Sequence, residues 1–349
     1  MIRGVCWVAG DSIIDRNLNP LEENFVNWIS QTPFAYQRGH NNPEVRFDKN
    51  SSLWGESDEG LIHTARLAHA RGMQVILKPH IWLVKANGKW RSDIEMHSPE
   101  DWDVWFAGYT DFILHYARVA EKGKMEALCI GTELHLTAVL QPEKWIEIIR
   151  KVREVYSGKL TYAANFYKEF EEITFWNHLD AIGVQGYFPL SKNKNPTKEE
   201  LCASWEPHKQ KMQKMYEKFG KPIIFTEAGY KNSDDAAIEP WVWPHRMEDR
   251  VPSEETQAVC LDAMFESLWQ EDWFAGIFIW KWFHTSYKYT PEEYAVYLAE
   301  RQRRRIERGR ATPGPRITFS PQGMEGEKVM QKWYRKQVES ETGVSRSDQ

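Results

Sequence analysis

The chain has 349 residues, a formal net charge of −5, 13% aromatic residues and 17 tryptophans, with a pI near 6.2. That balance excludes a nucleic-acid footprint over the whole protein, and no run of about 18 apolar residues is available to cross a membrane. The length suits one large α/β barrel, a fold that commonly runs this long undivided.

Tryptophan in this number exceeds what packing alone requires. A flat ring in a cleft stacks well on a sugar face, so the excess points to carbohydrate. The four cysteines, Cys6, Cys129, Cys202 and Cys260, lie far apart without metal-ligand spacing and read as free thiols. Met1 to Gly4 lead straight into the first strand and leave no room for a signal peptide. A soluble, cytoplasmic protein is expected, or a secreted one whose signal has been removed.

In chain order, Gly4–Val8 reads as the first strand, followed by a short helix around Leu21 to Phe25. Trp28–Pro33 is the second strand. The stretch from Phe34 to Glu56, rich in Asn, Pro and Gly, reads as a long loop, and loops of that length often carry function. Ser57 starts a helix that ends at Arg71-Gly72. The third strand is Gln74–Lys78, ending in Pro79-His80-Ile81-Trp82. Ser98-Pro99 begins a helix running to about Glu121. The fourth strand, Ala127–Ile130, ends in Gly131-Thr132-Glu133. The helix opened by Pro142 carries Trp145, Ile146, Ile149 and Val152 at helical spacing.

The fifth strand is Lys159–Ala164, ending at Asn165-Phe166, and a short helix spans Phe170 to Asn177. The sixth is Asp180–Gln185, ending in Gly186-Tyr187-Phe188-Pro189, with a helix from Glu199 to Phe219. The seventh opens on Gly220-Lys221-Pro222, runs through Ile223-Ile224-Phe225 and stops at Thr226-Glu227, with Gly229 where the chain must turn away. A helix from Ser253 to Gln270 and the strand Phe274–Trp280 complete eight units. The alternation predicts a parallel sheet, and eight units predict a closed (β/α)8 TIM barrel in a single domain over residues 1–339. A charged insertion is expected at about 286–315, with Arg301, Arg303, Arg304, Arg305, Arg308 and Arg310 close together, as a solvated helix or lid or as an anion-binding patch. Glu325 to Gln337 is expected to be the last helix, and 340–349 a disordered tail.

Chemistry in this barrel sits at the C-terminal ends of the strands. Two strands that each end in Thr-Glu can aim Glu133 and Glu227 at one bond, which is the equipment of a glycosidase. The same strand ends bring Gln31, His80, Trp82, Asn165, Tyr187, Trp280 and Trp282 to one face: hydrogen bonds for hydroxyls and ring faces for stacking. No metal-ligand cluster, serine-centred elbow or phosphate-binding glycine loop is present in the sequence, so neither a metal nor another cofactor is expected.

Taken together and in this order, Leu77-Lys78-Pro79-His80-Ile81-Trp82, Ile130-Gly131-Thr132-Glu133, Ile182-Gly183-Val184-Gln185-Gly186-Tyr187-Phe188-Pro189, Phe225-Thr226-Glu227-Ala228-Gly229-Tyr230 and Phe278-Ile279-Trp280-Lys281-Trp282 resemble glycoside hydrolase family 113. The likeness covers roughly residues 4 to 285 and the stretch around Phe319 to Tyr334. The resemblance implies a retaining β-glycosidase acting on β-1,4-mannan or manno-oligosaccharides. Glu133 would be the acid/base and Glu227 the nucleophile. Tyr187 would hydrogen-bond the nucleophile, and Trp280 would floor the reacting sugar. His80 and Asn165 would hold hydroxyls or the carboxylates, and Trp82, Gln185 and Trp282 would complete the substrate-binding set. Thr132 stands where many members of the clan carry an Asn that binds the sugar 2-hydroxyl.

The partner is therefore an oligosaccharide or polysaccharide, with no nucleic acid and no membrane. The alternatives are a related β-glycosidase with another sugar, exo action if residues 34–56 block one end of the cleft, and a catalytically silent carbohydrate-binding barrel. A silent binder needs neither glutamate.

Overall fold

The computed structural model describes residues 1–8, 10, 12–48, 53–243, 251–284, 300, 303–304, 307 and 317–343. Its strands in chain order are β1 (Ile2–Val8), β2 (Trp28–Gln31), β3 (Phe34–Gln37), β4 (Val45–Phe47), β5 (Gln74–Leu77), β6 (His80–Leu83), β7 (Ala127–Thr132), β8 (Lys159–Asn165), β9 (Ile182–Gln185), β10 (Ile223–Ala228) and β11 (Phe274–Phe283). The helices are α1 (Asn19–Glu23), α2 (Asp58–Ala70), α3 (Pro99–Lys122), α4 (His135–Leu140), α5 (Pro142–Arg153), α6 (Glu169–Glu172), α7 (Lys198–Phe219), α8 (Glu254–Leu268) and α9 (Glu325–Thr342). Eight parallel strands close in the order β1-β11-β10-β9-β8-β7-β5-β2, the (β/α)8 TIM barrel expected.

The helices start where side chains can cap them. Ser57 accepts the Gly60 amide ahead of α2, Ser98 accepts Asp101 ahead of α3, and Thr197 and Glu200 form a capping box on α7. The tryptophans divide into two populations. Trp105, Trp145, Trp176, Trp205, Trp269 and Trp282 are fully buried between barrel and helices. Trp82, Trp90, Trp241, Trp243 and Trp280 face a cavity at the strand ends. The surplus of rings is thus only partly a ligand signal.

The stretch 34–56 is not a plain loop. Strands β3 and β4 within it join β6 in a second, three-stranded sheet beside the barrel mouth. His80 and Trp82 belong to that sheet and not to the end of a barrel strand. The last helix runs to Thr342, past the tail expected from 340. It packs Trp333 on Phe265 and Tyr334 on Trp269, and Glu341 pairs with Arg3 and the amino terminus. The charged insertion lies outside the described residues except at Glu300, Arg303, Arg304 and Glu307, and residues 344–349 lie outside them as well.

Candidate active site

A cavity of about 1090 Å³ opens at the C-terminal ends of the barrel strands, and Glu133 and Glu227 both line it. Each follows a register irregularity. Between Cys129 and Thr132, β7 advances three residues while β8 advances two, and β10 gains a residue on both neighbours between Phe225 and Ala228. An extra residue in one strand re-aims the side chain that follows it. Glu133 has φ 52°, a left-handed backbone that costs a non-glycine residue about 1–3 kcal/mol. Two bonds from β8 hold it there: the Glu133 amide donates to the Ala163 carbonyl (2.8 Å) and the Leu134 amide to the Tyr162 hydroxyl (2.8 Å). Gly229 is required for a different reason: a Cβ there would lie 2.5 Å from the Trp280 carbonyl oxygen.

The two carboxylates have unequal surroundings. Lys78, fully buried, donates to Glu227 Oε1 (2.5 Å) and to the Thr226 carbonyl (2.9 Å), while the Tyr187 hydroxyl donates to Glu227 Oε2 (3.1 Å). Burial alone would pull the Lys78 ammonium down, but the Glu227 carboxylate outweighs it and holds the group above the ordinary lysine range. Burial keeps the Tyr187 hydroxyl protonated, and the nearby Glu227 charge reinforces it.

Among the described residues Glu133 accepts only the Trp90 indole N–H, at Oε2 (2.9 Å), with Arg91 Nε 3.6 Å away. Burial pushes its carboxyl above the ordinary range; Arg91 opposes that shift and the Glu227 charge adds to it. Between the acids lies His80. Its Nδ1 accepts from Arg91 Nη1 (2.9 Å), which places the ring proton on Nε2, 3.6 Å from Glu227 Oε1. Burial and the Arg91 and Lys78 charges keep this imidazole neutral. His80 Nε2 and Arg91 Nε are buried without a hydrogen-bond partner among the described residues. Each is a donor aimed at one of the two carboxylates, His80 Nε2 at Glu227 and Arg91 Nε at Glu133, both at 3.6 Å.

His80, Trp82, Asn165, Tyr187 and Trp280 all line the cavity. Gln185, Trp282 and Gln31 do not. Gln185 is buried and accepts the Thr226 hydroxyl (2.9 Å), tying β9 to β10 beneath Glu227. Gln31 is buried and donates to the Leu61 carbonyl. Trp282 is 1% exposed. Strict alternation would put it beside Trp280, but β11 gains a residue on β1 between Ile279 and Trp282, so Lys281 takes the cavity side and Trp282 turns into the core. Thr132 is buried outside the lining, its hydroxyl 3.5 Å from the Pro79 carbonyl.

Sequence reasoning missed Lys78, Trp90, Arg91, Trp241 and Trp243. A lysine at a strand end reads as solvent-facing, and the others sit on connections whose shape the pattern does not fix. The Trp241–Trp243 loop is held by Lys231, whose ammonium donates to the Glu239 and Val242 carbonyls (2.8 and 2.9 Å). Trp241 stacks on Phe166 at 5.2 Å. Trp82 lies on β6, just beyond β5, and Trp241 lies against Phe166 just beyond the end of β8, two places from β5 in the ring of eight.

Lys78→Met leaves the Glu227 carboxylate buried without its cation. The expected loss of folding stability is about 3–5 kcal/mol, read from urea unfolding at neutral pH. A third buried glutamate, Glu169, accepts the Tyr162 hydroxyl (2.5 Å) and the Asn165 amide (2.7 Å), so it braces the strand ends that carry Glu133 and Asn165. Burial raises it to about 8, with the Glu133 and Glu172 charges adding to the shift against the two hydrogen bonds. The fold therefore favours its protonated form. That contribution is complete below the ordinary carboxylate range and is lost as pH rises through about 8. Wild-type stability should fall relative to Glu169→Gln by roughly 1.4 kcal/mol per pH unit across that window and run parallel to it above. Unfolding curves at a series of pH values check this.

A search of curated protein sequences returned no match. Among solved structures, the β-mannanase AaManA from Alicyclobacillus acidocaldarius in complex with ManMIm is similar at TM-score 0.76 and 25% identity, over 96% of this chain and 97% of that one. Another GH113 β-1,4-mannanase structure is similar at TM-score 0.74 and 26% identity, over 96% and 98%. A β-glucuronidase from Ruminococcus gnavus shares the fold at TM-score 0.59 and 12% identity, over 95% of this chain and 50% of that one. The sequence pattern of Glycoside Hydrolase Family 113 matches residues 10–297. With that match covering most of its length, the chain belongs to Glycoside Hydrolase Family 113 and is a glycoside hydrolase.

Proposed function

We propose that the protein is a retaining endo-β-1,4-mannanase, with Glu227 as nucleophile and Glu133 as acid/base. The observation that carries the reading is the pair of buried carboxylates in one open cavity with opposite surroundings. Glu227 is paired with the buried Lys78 ammonium, and burial biases Glu133 toward its protonated form. In a retaining glycosidase the two carboxyls sit about 5–5.5 Å apart. Glu227 attacks the anomeric carbon while Glu133 gives its proton to the departing glycosidic oxygen. Glu133, now a carboxylate, then takes a proton from water, which attacks the glycosyl-enzyme and releases the sugar with its configuration retained.

Lys78 and Tyr187 occupy one lone pair on each oxygen of Glu227 and fix the carboxylate for attack. His80 and Arg91 line the cavity beside the two carboxylates, where they can hydrogen-bond the sugar hydroxyls. Mannan as substrate is supported by the family and by the mannanase structures the chain is similar to. Endo action is supported by the several aromatic rings, Trp82, Trp90, Trp241 and Trp243, that line the open cavity and suit a chain continuing past both ends of the cleaved bond.

Product analysis on a panel of β-linked polysaccharides, with Glu227→Ala beside the wild type, tests this. Release of several manno-oligosaccharide sizes by the wild type alone is expected. Cleavage of another β-glycan only would refute the mannan assignment, release of single sugars only would refute endo action, and sugar binding without turnover would refute the hydrolase roles.

A further inference from the structure

We propose that the outward face of the β3–β6 sheet, built on Tyr36 and Trp82, is a sugar-binding surface that continues the cavity and takes distal units of the same β-linked glycan. The inference rests on the reading of the chain as a glycan hydrolase. In the parallel register Tyr36 is paired with Trp82, and in the antiparallel register Arg46 is paired with Tyr36. Alternation sends Ala35, Gln37, Ile81 and Leu83 inward and leaves this row facing out. A half-exposed sheet face ordinarily carries polar residues. Here two large rings stand side by side, 45% and 44% exposed.

The row is joined to the chemistry. Trp82 lines the catalytic cavity and meets the edge of Trp90 at 6.2 Å, and Trp90 donates to Glu133. Phe34 packs edge-on against Trp82 from the other side at 6.4 Å, so the ring is held in place before any ligand arrives. A line of rings therefore leads from the acid/base outward to Tyr36. Charged groups flank its end: Arg46, the register partner of Tyr36, pairs with Glu44. A ring face with hydrogen-bonding groups at its margin is what a pyranose presents its C–H face and hydroxyls to. The row is one ring wide and bounded by charge, which fits a single sugar chain better than an apolar protein partner. Tyr36 itself touches neither carboxylate and lies outside the cavity lining.

The test is kcat/KM for wild type, Tyr36→Ala and Tyr36→Phe on a ladder of manno-oligosaccharides and on soluble mannan. Retardation of the same proteins in native gels containing soluble β-glycans is measured in parallel. Tyr36→Ala is expected to match the wild type on the shortest cleaved oligosaccharide and to lose about three- to tenfold on the longest, the span of one stacked ring pair. Tyr36→Phe should keep most of the long-substrate rate, and Tyr36→Ala should migrate faster in the glycan gel. Equal rates at every length, or an equal loss at every length, would overturn the proposal. Should the wild type cleave no member of the ladder, the mannanase reading falls. The surface then stands if Tyr36→Ala weakens retardation by a glycan in the panel, and falls if the two migrate alike in every gel.

Discussion

Glu227→Ala is expected to lower kcat on mannan by about 10⁴-fold or more, since it removes the group that forms the covalent intermediate. The substitution also leaves Lys78 as a buried cation without its carboxylate. Glu227→Gln, which keeps the shape and an acceptor for Lys78, separates lost chemistry from lost stability: both variants should be inactive, with Gln the better folded. The space left by alanine lies on the face of the sugar opposite the leaving group. Azide supplied to Glu227→Ala should therefore restore turnover of an aryl β-mannoside with a good leaving group and yield the α-glycosyl azide. Recovery of the β-azide would place the nucleophile elsewhere. Mass and NMR analysis of the product distinguishes the two.

Glu133→Ala is expected to cost about 10²–10⁴-fold on mannan, where the departing alkoxide must be protonated. An aryl mannoside with an acidic phenol needs no such help in the first step. That step should survive, the glycosyl-enzyme should accumulate, and a burst of phenol should precede slow turnover. Azide then attacks from the face Glu133 used to serve and should give the β-glycosyl azide, the opposite anomer from the Glu227 variant. The pH profile gives a second sign. The acid must be protonated, and burial raises the Glu133 carboxyl, so the alkaline fall in wild-type kcat/KM should lie above the ordinary carboxylate range. Glu133→Ala should lose that limb on the activated substrate. A wild-type profile already falling within the ordinary range, or an alkaline limb that persists in the variant, would take the acid role from Glu133.

The barrel was legible because eight apolar runs alternate with helical periodicities and capping residues, and because Glu133 and Glu227 each close a buried run. The second sheet was not. Its strands are three or four residues long, set among Asn, Gly and Pro, and Pro79 makes β6 look like the frayed end of β5. Reading residues off the strand ends put Trp280 and Trp282 on one face; Trp280 lines the cavity and Trp282 does not, because one inserted residue in β11 reverses the facing that follows. Lys78 was hidden for a chemical reason: a lysine is buried only where a carboxylate waits for it, and that partner lies on a distant strand. Trp90 and Arg91, which set the environment of Glu133, sit in the connection between β6 and α3, and a single sequence gives no periodicity to aim them.

Proton NMR of the first anomer formed as the wild type cleaves a manno-oligosaccharide tests the central claim most directly. Two displacements through Glu227 and Glu133 release the new reducing end as the β anomer, with the α anomer growing in later by mutarotation. The β anomer first is the result expected. The α anomer first would mean a single inverting displacement by water and would contradict the assignment of Glu227 as nucleophile.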